Sequence, residues 1–245
     1  MKITVINGQN HKGSTYNMGK ILADKLSDDV TEIFLPLDFG EFCCGCNNCF
    51  GKSEMLCPHY EKLRPITEAI DRADVLIFTS PVYVYHCTGA MKSFLDHYGW
   101  RWMVHRPEEK MFSKQAAILS TAAGAGMKSA NKDIKDSMFF WGIGRIYTYG
   151  AAVKEVSWER VKEKKKGEIN KSLEKIAEKV KYRNGRIKPS VKTKALFYFM
   201  SKLHKKGFFP VDDEYWKEKG WCGKVRPWKN KQLSLIHISE PTRHA

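Results

Sequence analysis

Apolar residues along the chain follow two alternating rhythms: short unbroken runs, and longer stretches with apolar side chains three and four apart. Lys2 to Asn7 (KITVIN) is a short run ended by Gly8, which predicts a strand buried on both faces. A polar loop, GQNHKGST, follows, and from Thr15 the positions of Met18, Ile21, Leu22 and Leu26 are helical. Val30 to Leu35 predicts a second strand, and Glu61 to Ala73 a helix with Leu63, Ile66 and Ile70 on one face. Asp74 to Thr79 (DVLIFT) is the most apolar run and is expected to be the central strand. It leads into SPVYVYHCTG and a helix carrying Met91, Phe94 and Leu95. Lys114 to Ser120 predicts a fourth strand, ending in the small-residue loop TAAGAG. Met127 to Phe140 reads as helix, Arg145 to Tyr149 as a fifth strand, and Lys166 to Lys181 as a further helix. Five strands alternating with helices argue for an α/β chain with a doubly wound parallel sheet. Ligands in that architecture sit outside the strand C-termini, the edge shared by the loops Gly8–Thr15, Ser80–Gly89 and Thr121–Gly126.

Composition narrows the class. With 245 residues, 42% of them apolar and 28% charged, the chain has material for a full core and is not a disordered segment. No apolar run reaches the length of a membrane span, and MKITVING lacks the features of a signal peptide, so a cytoplasmic protein is expected. The net charge of +15 is unevenly placed: residues 1–150 carry +1 and residues 151–232 carry +14. Such asymmetry fits a nucleic-acid or anionic-membrane surface, or simply a lysine-rich solvated helix. Leu233 to Arg243 (LSLIHISEPTR) resembles a translated sequencing-library adapter. The natural sequence is therefore expected to break off near Gln232, and residues 233–245 enter no fold argument.

The first loop combines backbone N–H groups with a helix N-terminus, which together favour an anion. Ser14 or Thr15 serves there as a helix cap, as a phosphate ligand, or as both. Three motifs then stand in register. They are Gly8–Gln9–Asn10–His11–Lys12–Gly13–Ser14–Thr15 after strand one, and Ser80 to Tyr83 followed by Gly89, Lys92, Phe94 and Asp96. The third is Thr121, Gly124 and Gly126 after strand four. In these the chain resembles the flavodoxin-like NAD(P)H-dependent FMN reductase family, over residues 1–185.

The resemblance implies a flavodoxin-like five-stranded parallel sheet, bound FMN, NAD(P)H as electron donor, a small-molecule electron acceptor and a homo-oligomer. It implies Gln9, His11, Ser14 and Thr15 at the phosphate, Pro81, Val82 and Tyr83 at the isoalloxazine edge, and Thr121, Ala122 and Gly124 on the ring's other side. Gln9 and His11 depart from the family's usual Ser and Arg, so His11 brings less charge and Lys12 is placed to compensate. No side-chain nucleophile or triad is evident, and a flavin reductase needs none. Tyr85 and His86 are the nearest candidates to donate a proton to a reduced substrate, with packing and rim positions as the alternative.

Five of the seven cysteines crowd one loop. Cys43, Cys46, Cys49 and Cys57 have the spacing C-x2-C-x2-C-x7-C, with Cys44 as an extra thiol. Such spacing lets one loop wrap a cluster, and it is similar to the iron–sulfur flavoproteins, where a 4Fe–4S cluster sits beside FMN. Zinc and a metal-free reduced loop stay open.

Residues 186–232 form a basic aromatic extension: Ala195 to Met200 is an apolar run between Lys192, Lys194, Lys202, Lys205 and Lys206. Its apolar residues are consecutive and form no clean stripe. It is expected to be a lid or dimer arm near the flavin, with peripheral contact to a membrane and nucleic-acid binding as alternatives; Tyr215, Trp216, Trp221 and Trp228 are its stacking candidates. Three functions follow for the whole chain. It is an FMN-dependent oxidoreductase acting on a quinone, flavin or similar acceptor, an iron–sulfur electron carrier, or a basic surface-binding protein that is no enzyme.

Overall fold

A computed structural model describes residues 1–155 and 157–229 of the chain; the adapter-like segment 233–245 lies outside them. Five parallel strands form one sheet: β1 (Ile3–Asn7), β2 (Val30–Phe34), β3 (Val75–Pro81), β4 (Gln115–Ala122) and β5 (Arg145–Ala152). Their order is β2-β1-β3-β4-β5, so the most apolar run is the central strand, as its composition required. The helices are α1 (Ser14–Leu26), the single turn α2 (Asn48–Gly51), α3 (Tyr60–Arg72), α4 (Gly89–Asp96), α5 (Met127–Phe140), α6 (Glu163–Arg183), α7 (Val191–Lys206) and α8 (Pro210–Glu218).

The inner strands β1, β3 and β4 are buried on both faces, because they are largely apolar at successive positions, whereas the edge strands β2 and β5 are only partly covered. Val75 and Ile77 of β3 meet one cluster with Met18 and Leu22 of α1 and Leu173 and Ala177 of α6. Leu76 and Phe78 point the other way, into a cluster with Ile66 and Ile70 of α3, Phe94 of α4 and Ile134 of α5. The result is a flavodoxin-like three-layer α/β fold whose first, third and fourth strands end together at one edge.

The extension builds a third cluster. Phe197 and Met200 of α7, Trp216 of α8 and Trp221 close over Met103 and Phe112. Phe112 lies just before β4, and the Met103 N–H donates to the Phe140 carbonyl at the end of α5 (2.6 Å). These helices therefore pack at the N-terminal ends of the strands, opposite the three loops. Hydrogen bonds fasten them: the Trp216 indole donates to the His105 carbonyl (2.5 Å) and the Tyr215 hydroxyl to the Pro107 carbonyl (2.7 Å). Buried Asp212 pairs with Arg106 and with His105 Nδ1, the latter at 2.7 Å.

The consecutive apolar run resolves into a stripe once it is helical. Thr193, Phe197, Met200, Ser201 and His204 face inward, while Tyr198 and Phe199 face out. The phenylalanines at 197 and 199, two positions apart and on opposite sides of the helix, thus test the packing directly. Phe197→Ala removes a fully buried ring and should cost about 3–5 kcal/mol, whereas Phe199→Ala, at an exposed site, should stay within about 0.5 kcal/mol. Urea denaturation of both variants measures the difference.

Candidate functional site

The edge at the strand C-termini is held by close contacts around Gly8. Its N–H donates to the Thr79 carbonyl (2.7 Å), and its carbonyl accepts from the Thr88 hydroxyl (2.7 Å). A Cβ on Gly8 would lie 2.9 Å from the Thr79 oxygen and 3.0 Å from Thr88 Oγ1, so only glycine fits. Thr88 also caps α4 by accepting from the Met91 N–H (3.1 Å), and its own N–H donates to Ser80 Oγ (3.0 Å).

Beyond Gly8 the loop leaves donors free. Among the described residues, the N–H groups of Gln9 to Gly13 donate to no backbone carbonyl. Helix α1 then begins at Ser14 without a side-chain cap, so its first N–H groups point the same way with the positive end of the helix dipole. The Ser14 hydroxyl and Asn7 Nδ2 are both buried and unpartnered. A buried polar atom left alone costs about 1–3 kcal/mol, so each of the two is a donor that a polar ligand could satisfy; Asn7 lines the depression described next, and Ser14 follows the loop's free N–H groups in sequence. Gln9, His11, Thr15 and Pro81 line one depression together with Asn7 and Thr79. Thr15 Oγ1 and Thr121 Oγ1 share a hydrogen bond of 2.5 Å, which joins the first loop to the third. An oxyanion such as a phosphate fits this donor set.

The second loop is a tight hairpin. The Val82 N–H donates to the Thr121 carbonyl (2.8 Å), and Tyr83 and His86 exchange backbone hydrogen bonds of 3.0 Å. Between them Val84 (φ 49°) and Tyr85 (φ 68°) are both left-handed, the pair a type I′ turn requires. A β-branched residue pays about 1–2 kcal/mol for that conformation, and Val84 is 92% exposed. Gly126 (φ 95°) lets the third loop press on the hairpin: a Cβ there would meet Val82 Cγ1 at 2.6 Å. Thr121 is buried, Ala122 half-buried beside Ala152, and Gly124 exposed at the loop tip. His86 Nδ1 lies 3.1 Å from Asp133 Oδ2, which also accepts from the Cys87 N–H (3.1 Å). Burial, followed by the Asp133 charge, pushes the Cys87 thiol up to about 12.

In the cysteine loop, Cys43, Cys44 and Cys46 are exposed, and Cys49 and Cys57 half-buried. Burial raises the Cys49 thiol first, and the neighbouring Cys57, Cys43 and Cys46 raise it further. Burial likewise raises Cys57, partly offset by a hydrogen bond with the His59 backbone, with Cys46, Cys43 and Cys44 adding to the rise. The Cys49 and Cys57 thiols thus lie near the other cysteines of the loop, Cys44 included. One zinc ion would draw thiolates to about 3.8 Å apart, yet among the described residues no three cysteine sulfurs lie within 4.8 Å of one another. Arg106 anchors the loop through the Cys49 carbonyl and an ion pair with Glu54 (3.7 Å). Cys57 also sits with His59 and His97, their ligand atoms all within 4.8 Å. Both His97 nitrogens are already engaged: Nδ1 donates to the Ser93 carbonyl (2.8 Å) and Nε2 meets His59 Nδ1 (2.9 Å). The histidine pair thus fastens the end of the loop to α4.

Sequence reasoning brought the first, second and third loops to one edge, and the structure places them there. It missed Asn7, Thr79, Thr88 and Asp133. The one available signal was a polar residue, Asn7, ending an otherwise apolar strand.

Residues 1–155 match the family described as NADPH-dependent FMN reductase. The chain is 29% identical over 202 residues to an iron–sulfur flavoprotein of Archaeoglobus fulgidus, covering 79% of this chain and 85% of that protein. It is 33% identical over 84 residues to an NAD(P)H-dependent FMN reductase of Pseudomonas aeruginosa, covering 34% of this chain and 41% of that one. In fold it is similar to an NAD(P)H:quinone oxidoreductase from Methanothermobacter marburgensis (TM-score 0.54, 14% identity, 72% of this chain and 95% of the other).

Exposure and thiol chemistry predict an ordered modification pattern. In the native metal-free protein near pH 8, a disulfide reagent should label Cys43, Cys44 and Cys46 quickly, and Cys87 only after unfolding, because the thiolate is the reactive form. Peptide mass mapping of the labelled sites reads this out; early labelling of Cys87 contradicts its placement.

Proposed function

The chain belongs to the NADPH-dependent FMN reductase family, and on that premise we propose that it is an NAD(P)H oxidoreductase whose FMN sits across the three loops and reduces a quinone, flavin or similar small acceptor. The observation that carries this reading is the buried, unpartnered Ser14 hydroxyl beside a loop of free N–H groups. Ser14, Thr15 and the N–H groups of Gln9 to Gly13 would hold the phosphate, with Gln9 and His11 on its rim. Pro81, Val82 and Tyr83 would border the ring, and Thr121, Ala122 and Gly124 its opposite side. FMN supplies the electron relay between nicotinamide and acceptor.

The protein's own contributions are positioning and proton supply. Thr88 and Gly8 fix the phosphate loop against β3, so the donors are in place before the ligand arrives. Asp133 holds His86 by Nδ1, leaving Nε2 without a partner among the described residues and available to protonate an acceptor. Tyr85 is the second proton candidate, 63% exposed on the same hairpin. Val84 and Tyr85 offer apolar surface at the mouth, which suits a flat organic acceptor. A homo-oligomer belongs to the proposal, since a second copy would close this open side, as does a cytoplasmic setting that keeps all seven free cysteines reduced. As a member of an oxidoreductase family, the chain is not the non-enzymatic scaffold that its charge alone allowed.

A second reading adds a 4Fe–4S cluster on Cys43, Cys46, Cys49 and Cys57. It is supported by the C-x2-C-x2-C-x7-C spacing of those four residues on one loop and by the similarity to the A. fulgidus iron–sulfur flavoprotein over most of both chains. The donor chemistry fits, since a loop of four cysteines supplies a cluster's full ligand set.

Two measurements test these readings. Ser14→Ala should weaken FMN binding at least about tenfold, because it removes one charge-assisted hydrogen bond of roughly 1.5–3 kcal/mol; unchanged fluorescence titration removes the loop assignment. Anaerobically prepared protein should contain iron and sulfide that Cys46→Ser and Cys49→Ser abolish and Cys44→Ser retains. Absence of iron from all of them, wild type included, removes the cluster and leaves the FMN reading intact.

A further inference from the structure

We infer that the outward face of α7 docks the protein on an anionic lipid bilayer. Between residues 179 and 206 the chain has ten Lys and Arg and no Asp or Glu. This is the densest part of the +14 carried by residues 151–232. Within α7 the inward stripe is already spent on the core with Trp216 and Trp221. Among the described residues the outward arc stays exposed.

That arc is not the usual solvated lysine face. Val191, Ala195, Tyr198, Phe199, Lys202 and Lys206 recur at helical spacing along one side, and all six are exposed. Val191 is 83% exposed and Phe199 58%. The arc thus offers apolar surface from Val191 to Phe199 and cations at Lys202 and Lys206. Arg226 lies over the outward Tyr198 ring, 4.7 Å from its centroid, adding charge beside the aromatic patch.

Charge complementarity selects the occupant. A second copy of this face would bring cations against cations. A nucleic acid would answer the charge but leave Val191 and Phe199 facing a polar backbone. An anionic bilayer supplies both partners at once, phosphate and carboxylate headgroups for the lysines and acyl chains for the apolar turns. Because α7 packs at the strand N-termini, docking there leaves the three-loop edge uncovered. The inference does not depend on FMN.

The test is co-sedimentation of the full chain with vesicles of phosphatidylcholine carrying about 30% phosphatidylserine, against phosphatidylcholine alone. Binding should be at least about tenfold tighter to the anionic vesicles and should fade as salt rises from about 0.05 to 0.5 M. Lys202→Glu with Lys206→Glu should abolish it, whereas Lys20→Glu with Lys132→Glu, an equal charge change elsewhere, should weaken it far less. The uncharged pair Val191→Ser with Phe199→Ser should lose at least about fivefold on vesicles while leaving binding to a mixed-sequence DNA duplex unchanged. NADPH oxidation in solution and the far-ultraviolet dichroism should match wild type in every variant, which separates a docking defect from misfolding. Equal binding to neutral vesicles, or full vesicle binding by the serine pair, overturns the inference. A dimer that the serine pair splits, with no vesicle binding by wild type, assigns the face to a second copy and overturns it as well.

Discussion

The approach of Gly8 to the end of β3 is the constraint on which the rest of the functional edge depends. Parallel pairing of β1 and β3 brings Asn7 beside Thr79, and one step later the chain must turn within contact distance of a carbonyl and a threonine hydroxyl. Any side chain at Gly8 would push the loop off β3. Thr88 converts this proximity into a joint: one hydroxyl caps α4 and grips the Gly8 carbonyl. The first loop, the end of β3 and the start of α4 are consequently joined by hydrogen bonds through Thr88, and the N–H groups between Gln9 and Gly13 donate to no backbone carbonyl among the described residues.

Pattern and spacing exposed most of this in the sequence. The three inner strands were legible as short, largely apolar runs and the edge strands β2 and β5 as mixed ones, and the helices because their apolar residues fall three and four apart; both signals are local. Asn7, Thr79, Thr88 and Asp133 were not legible, because their roles come from partners far along the chain: Thr88 meets Gly8 across eighty residues and Asp133 meets His86 across forty-seven. Nothing near Asp133 in sequence distinguishes it from the exposed charges on the rest of α5. The extension was obscured for a different reason. A run such as ALFYFM shows no stripe when its residues are counted as apolar or polar, because α7 is apolar toward the core and partly apolar toward solvent.

The charge asymmetry acquires a physical division of labour from the packing. The balanced half of the chain builds the sheet and its ligand edge, where a few oriented donors matter more than net charge. The basic part supplies α6, which covers one sheet face, and α7 with α8, which close the strand N-termini over Phe112 and Met103. Arg106 links this module to the cysteine loop through Asp212 on one side and the Cys49 carbonyl on the other. The cysteine loop thus rests on the extension as well as on α3 and α4.

The central claim is that the Gly8–Thr15 loop is the phosphate end of an FMN site. Amide resonances report it most directly, since N–H groups that gain a charged acceptor move strongly downfield. On addition of FMN to uniformly nitrogen-15-labelled protein, the amides of Gln9 to Thr15 should shift the most, while those of the cysteine loop at Cys43 to Cys49 should stay close to their starting positions. Saturable FMN binding that leaves the Gln9 to Thr15 amides unmoved would contradict the account.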